Sequence, residues 1–354
     1  MKFKAPSCIA AVLSIGLALS GVAGVGAAQP QSQQQQPPKP QSKTEKEKKG
    51  ADEDAGQDEP IKLGAQLVTV PFNVTDKTNR YITDLTKDDL ELLEDTKPQQ
   101  VFSFERQTDL PITIAMLIDI SGSEKYTLPS ERIAGQRFFR RVLRQKKDIG
   151  AVVTFEGDSV LVQDLTSDVE KLARALDGVE VSAQIPSIGG VGGTPPINGG
   201  SRAGSTAMYD SIYAVSSDLL RREAGRRVII LLTDGVDTSS RIKEREAIER
   251  TWRNEIIVYA IGIGDPGWGG INQGTLKKLT GETGGRAFFP RNEEDLDKAF
   301  AQIDEDLRSQ YVVAYQTSNE AKDGSFRTIQ LRVKNRKELT VRHRRGYFAP
   351  TKKV

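Results

Sequence analysis

An α/β fold, with a doubly wound and mainly parallel sheet inserted in a small all-β sandwich, is what this 354-residue sequence predicts. Three observations lead there. Ile112–Ile118 and Arg227–Leu232 are short apolar runs of the kind buried parallel strands need. Between about Leu110 and Arg308 such runs alternate with amphipathic stretches, the rhythm of a doubly wound sheet. On either side, over 61–105 and 309–350, the pattern changes to short strands of period two. Neither flank has strands enough to stand alone in water. The two are therefore expected to combine into one sandwich around the α/β domain at 110–308.

The first flank contributes Leu67–Val74, Leu90–Asp95 and Gln100–Phe104, with turns at Asp76–Arg80 and Thr96–Pro98. Within the α/β domain, Ser130–Leu143 and Met208–Leu220 read as helices. Gly150–Phe155, Val160–Val162 and Ile256–Ile263 read as strands. Ser167 is expected to cap a helix over Asp168–Leu176, with Glu170 closing a capping box. A helix near Gln273–Thr283, a short strand at Arg286–Phe289 and a helix over Glu293–Leu307 complete the domain. Tyr311–Tyr315, Thr328–Val333, Leu339–Arg342 and Gly346–Phe348 are the returning strands.

The N-terminus reads as a signal peptide over 1–28. Lys2 and Lys4 precede the apolar run Ile9–Val25, and Val25-Gly26-Ala27-Ala28 offers small residues for cleavage. Retention as a membrane anchor is the competing expectation, disfavoured because about 17 residues is at the lower limit for a span. Cys8, the only cysteine, precedes nearly all of that run, which argues against a lipid anchor and leaves the mature chain without thiol or disulfide. Residues 29–60 are a Gln/Pro-rich and then charged linker with nothing larger than Ala to bury, expected to be disordered. The net charge of +2 gives no electrostatic case for nucleic acid or an anionic membrane. Asn73-Val74-Thr75 is a glycosylation sequon of no expected consequence in a bacterial-type protein.

Asp119-Ile120-Ser121-Gly122-Ser123 follows the first buried strand, where the loops of a doubly wound sheet form its ligand crevice. Thr233-Asp234-Gly235 follows a second buried strand, and Gly204-Ser205-Thr206 precedes a helix. Carboxylates and hydroxyls are ligands for a hard cation. His343 is the only histidine and lies in the β region, so zinc, copper and iron lack their usual ligands. Mg²⁺ is the expected ion, with Mn²⁺ or Ca²⁺ as alternatives.

At these residues, and over roughly Leu110–Leu307, the chain resembles the von Willebrand factor type A family and its metal-ion-dependent adhesion site. The resemblance implies that Ser121, Ser123 and Thr206 ligate the metal directly, while Asp119 and Asp234 act mainly through water. Thr194 and Ser205 are neighbouring alternatives to Thr206. It also implies a protein partner that offers an Asp or Glu carboxylate, with Gly122 and Gly235 expected at the partner-binding surface. Leu85–Asp95 with Val101–Phe104, and the ending Arg344–Ala349, resemble a subgroup described from Acidobacteria and relatives.

The expected function is a non-enzymatic, metal-dependent protein-binding or adhesion module, exported to the periplasm, the cell surface or the medium. An assembly component of an envelope complex is the alternative. A metal-dependent hydrolase is disfavoured, because no general base or further carboxylate pair stands out and Arg344 and Arg345 read as a solvated strand face. The Gly/Pro-rich loop over 185–205 is expected to be a tolerated surface insertion rather than a lid.

Overall fold

Strand β1 (Leu67–Thr75) comes first, followed by β2 (Leu90–Glu94), β3 (Lys97–Pro98) and β4 (Val101–Arg106). The computed structural model describes residues 66–181, 205–264 and 270–351, which belong to one compact unit. The expected leader and linker, and nearly all of the Gly/Pro-rich loop, lie outside the described residues.

The α/β part runs β5 (Ile112–Asp119), α1 (Leu128–Val142), β6 (Ile149–Phe155), β7 (Ser159–Thr166), α2 (Val169–Asp177), α3 (Met208–Ala214) and β8 (Arg226–Thr233). It continues with α4 (Glu244–Arg253), β9 (Ile256–Gly262), α5 (Gln273–Thr283), β10 (Ala287–Phe288) and α6 (Glu293–Arg308). Six strands form one sheet in the order β10-β9-β8-β5-β6-β7. Every neighbouring pair is parallel except β6 with β7.

Alternate side chains of the central strands enter two different cores, as period two requires. Ile112, Ile114, Met116 and Ile118 of β5 pack with α1, α2 and α6, while Ala115 and Leu117 pack with α3, α4 and α5. With helices on both faces, all eight residues of β5 are buried. Strand β7 is the antiparallel edge, and there alternate residues are exposed.

The chain closes with β11 (Tyr311–Gln316), β12 (Phe326–Val333), β13 (Thr340–His343) and β14 (Gly346–Phe348). Both sheets of the sandwich draw on both flanks, in the orders β13-β1-β11-β4 and β14-β12-β2-β3. Strand β1 runs antiparallel to β11 from Leu67↔Gln316 to Phe72↔Tyr311, and β12 pairs with β2 from Ile329↔Glu94 to Val333↔Leu90. A buried polar knot locks the two sheets. Glu94 accepts hydrogen bonds from Tyr315 (2.7 Å), Thr317 (2.6 Å) and Tyr347 (2.9 Å). Arg327, fully buried, places Nη1 3.6 Å from Glu94 and also donates to Thr317 and Tyr347.

Among its contacts with the α/β part, the sandwich engages the ends of α4 and α6. Trp252 at the end of α4 stacks on Phe326 at 4.4 Å and lies against Phe348. Arg344 donates to Glu255 (3.1 Å) and to the Thr69 carbonyl (2.7 Å). It is 7% exposed, so it is a buried tie rather than part of a solvated face. On α6, Asp306 receives Arg342 and the Tyr81 hydroxyl, and its carbonyl accepts from Asn73 Nδ2 at 2.7 Å. That bond buries the sequon's amide, which suits the expectation that it goes unused.

Two local expectations change. Asp168, not Ser167, caps α2, because its carboxylate accepts from the amides of Glu170 and Lys171. The helix expected over Met208–Leu220 is α-helical only to Ala214, and a π turn over Val215–Leu219 continues it.

Glu94→Ala should destabilise the protein by about 3–5 kcal/mol, because it strands the Arg327 charge in the sandwich core. The midpoint of chemical denaturation measures this, and a loss below about 1 kcal/mol would mean the knot is incidental.

Candidate metal centre

The site lies beyond the carboxyl ends of β5 and β8, on either side of the sheet's centre, where a doubly wound fold leaves its crevice. Asp119 is the last residue of β5 and is fully buried. Both its oxygens are engaged, Oδ2 by the Thr233 hydroxyl (2.6 Å) and Oδ1 by the Ser121 amide (3.0 Å). Thr233 ends the neighbouring strand β8, so this bond spans adjacent strands and fixes the carboxylate's orientation.

Two residues on, the Ser121 and Ser123 hydroxyl oxygens lie 3.0 Å apart. Adjacent corners of a metal octahedron with bonds of about 2.1 Å are separated by about 3.0 Å, so the pair fits one edge of an Mg²⁺ shell. Asp234 follows β8, accepts from the Val236 amide at 2.9 Å and from the Ser123 hydroxyl, and has its backbone carbonyl held by the Asn272 amide at 2.7 Å. Gly235 is buried with φ 79°, and a Cβ there would lie 2.8 Å from Leu276 Cγ. Its part is to let the chain turn against α5; Gly235 itself is buried and the next residue, Val236, is exposed.

Thr206 is buried at the same end of the sheet. Its amide donates to Thr238 Oγ1 (2.8 Å), its carbonyl accepts from Thr238 and Ser239, and the following amide, Ala207, donates to the Glu156 carbonyl just after β6. The structure thus brings Asp119, Ser121, Ser123 and Asp234 into mutual contact and holds Thr206 between the ends of β6 and β8. Ser205 is half-buried, and Thr194 lies outside the described residues.

Two acids here escape sequence reasoning. A single 3-10 turn, Gly122–Glu124, folds Glu124 back under the loop, where it is fully buried and Oε2 accepts from Thr127 at 2.7 Å. Glu131, 1% exposed, stands on the inward face of α1, and neither of its oxygens has a hydrogen bond of good geometry. Together they form a buried carboxylate pair that does not stand out in the sequence. Glu131 does carry a legible signal: it shares the helical stripe of Leu128, Ala134, Phe138 and Val142, where a charged residue is out of place.

All four acids are shifted toward the protonated form. Burial pushes Asp119 up to about 6 and raises Asp234. Burial, and then the charges of Glu131 and Asp119, raise Glu124; burial likewise raises Glu131. The groups acting on them are one another, hydroxyls and amides, with no basic side chain among them. Ligand atoms of Asp119, Glu124 and Asp234 lie within 4.8 Å of one another. Opposite corners of a shell with bonds of about 2.1 Å are about 4.2 Å apart, so a divalent ion fits among them. His343 plays no part: Nδ1 contacts the Arg344 carbonyl and Nε2 accepts from the Leu331 amide inside the sandwich.

The von Willebrand factor type A domain matches residues 195–302, a span that includes Thr206 and Asp234. In the fold that span is joined to β5 and its Asp-x-Ser-x-Ser loop in one sheet. No curated protein matches the chain. Among solved structures, BatB from Bacteroides thetaiotaomicron is similar at 20% identity and TM-score 0.43, over 56% of this chain and all of that one. A von Willebrand factor type A protein from Catenulispora acidiphila is similar at 13% identity and TM-score 0.46, over 82% and 76%. Proximal thread matrix protein 1 of the mussel byssus, with a zinc-occupied MIDAS motif, is similar at 18% identity and TM-score 0.46, over 61% of this chain; the match spans about half of its length.

Burial raises Glu131 above its usual 4.5, so the native state favours the protonated acid. That stabilisation is complete below pH 4.5 and is lost as pH rises through the raised value. In chelator, Glu131→Gln should therefore gain Tm relative to the parent protein on going from about pH 5 to about pH 9. An equal difference at both pH values would mean that Glu131 does not titrate in the fold.

Proposed function

We propose that this protein is an exported bacterial module that binds a protein partner through a divalent ion at the carboxyl edge of its type A domain. The observation that carries the proposal is the burial of Asp119, Glu124, Glu131 and Asp234 together with no basic side chain acting on them. Buried carboxylates need a proton or a cation. The crevice offers hydroxyls spaced for a hard ion.

In this reading Ser121, Ser123 and Thr206 ligate the ion directly. Asp119, already bonded to Thr233 and Ser121, acts through water, as does Asp234. Mg²⁺ suits the oxygen set best, with Mn²⁺ and Ca²⁺ as competitors. When bound, the ion supplies an electrophilic position that a partner's Asp or Glu carboxylate can fill. Exposed Tyr126 and Val236, which follow the two metal-binding loops, supply apolar contact beside it.

The module is read as non-enzymatic. Glu124 and Glu131 are sealed from solvent and present no base to a substrate, and both ring nitrogens of His343 are engaged elsewhere. Export rests on the N-terminal sequence pattern; among the described residues no helix is long and apolar enough to cross a membrane. Placement in the Acidobacteria-type subgroup rests on the flanking motifs.

The test is capture from envelope extract on the immobilised full chain. Proteins retained in Mg²⁺ should be released by excess EDTA, and Asp119→Ala, with an unchanged circular dichroism spectrum, should retain at least tenfold less. Capture that survives both chelation and the substitution would overturn the proposal.

A further inference from the structure

The Asp-x-Ser-x-Ser loop does not end at Ser123. The 3-10 turn that begins at Ser121 is closed by the Glu124 amide donating to the Ser121 carbonyl at 3.0 Å, and this brings the Glu124 side chain back toward the strand ends. A Glu124 carboxylate oxygen reaches within 4.8 Å of ligand atoms on both Asp119 and Asp234. The residue has no exposed surface. One oxygen, Oε2, is fixed by the Thr127 hydroxyl at 2.7 Å, whereas Oε1 is buried and receives no hydrogen bond from an N–H or hydroxyl donor; its carboxyl neighbour is Glu131.

An unpartnered anionic oxygen in a sealed site costs more than a surface one by several kcal/mol, unless something positive meets it. Across the described residues Glu124 forms no ion pair, and the charges nearest it, Glu131, Asp119 and Asp234, are all of its own sign. The group lacks a cation, and the crevice that Asp119 and Asp234 line is where one would sit.

We propose that Glu124 is itself an inner-sphere ligand, through Oε1, of the divalent ion held at Ser121 and Ser123. This presupposes the metal site proposed above and adds to it. Three carboxylates then surround a charge of +2, and one of them touches the ion. An ion so held is bound more tightly than one ligated by hydroxyls and water alone, because ligand charge sets affinity in oxygen sites. It is also less electrophilic. A partner's carboxylate therefore gains less from it, and the ion stays in place between encounters instead of arriving with the partner. Thr127 is the positioning residue: its hydroxyl holds Oε2 and leaves Oε1 as the oxygen free for the ion.

Calorimetric titration of the full chain with Mn²⁺, Mg²⁺ or Ca²⁺ alone, with no partner present, tests this. The parent protein should bind one ion and Asp119→Asn should abolish or severely weaken it. Glu124→Gln should raise Kd at least tenfold, while its melting temperature in EDTA stays at or above that of the parent. Glu124→Asp keeps the charge but withdraws the oxygen by one methylene, so direct ligation predicts a comparable loss. A purely electrostatic role predicts affinity within about threefold of the parent, and that result would overturn the inference. If Glu124→Gln fails to fold, the Glu124→Asp arm decides alone. Unchanged affinity in Glu124→Gln, with Asp119→Asn inactive, overturns the role of Glu124 and leaves the metal site standing. No ion bound by the parent protein overturns the metal site itself.

Discussion

The burial of four acidic side chains at one end of a parallel sheet is the constraint from which the rest of this structure follows. Asp119 and Asp234 end or follow neighbouring strands, and Glu124 and Glu131 fold in beneath the loop between β5 and α1. Desolvation raises the proton affinity of each, and for Asp119, Glu124 and Glu131 a neighbouring carboxylate's charge adds to it. A cation at that end of the sheet would relieve the same charges, and Asp119, Glu124 and Asp234 lie close enough together to share one. Metal binding and stability are therefore linked, since whatever binds only the native state stabilises it.

Holding such charge in place requires a rigid frame, and the sheet provides it. Strand β5 is buried along its whole length between two cores, and β8 runs beside it in parallel register through Ile118↔Leu232. The Thr233–Asp119 bond continues that register one step beyond the backbone pairing, so the carboxylate inherits the stiffness of both strands. At the opposite side of the domain the sandwich engages α4 through Trp252 and α6 through Asp306. Residues 66–106 and 311–351 share both of its sheets, so neither flank is complete without the other.

The frame was legible in the sequence because it depends on local periodicity. The apolar runs at Ile112–Ile118 and Arg227–Leu232 became adjacent central strands, and the period-two flanks became a shared sandwich. Asp119, Ser121, Ser123 and Asp234 were legible because each sits in a short motif directly after such a strand. Glu124 and Glu131 were not, for physical reasons. The burial of Glu124 is decided by a single 3-10 turn, which leaves no periodic trace. Glu131 is one polar residue on an otherwise apolar helical stripe and is easily taken for a surface charge. Arg344 was misjudged similarly: its neighbour Arg345 is exposed, and only the packing of Glu255 and the Thr69 carbonyl against the strand draws Arg344 inward. Asp168 displaced Ser167 as helix cap because the chain enters α2 one residue later than the capping-box pattern suggests.

The central claim is that a divalent ion sits at the ends of β5 and β8. Anomalous diffraction from crystals of the full chain grown with Mn²⁺ tests it directly. The predicted result is one anomalous peak about 2.2 Å from the Ser121 and Ser123 hydroxyl oxygens, on the side facing Asp119 and Asp234. A fully occupied peak elsewhere, or none at this position in saturating Mn²⁺, would contradict the account.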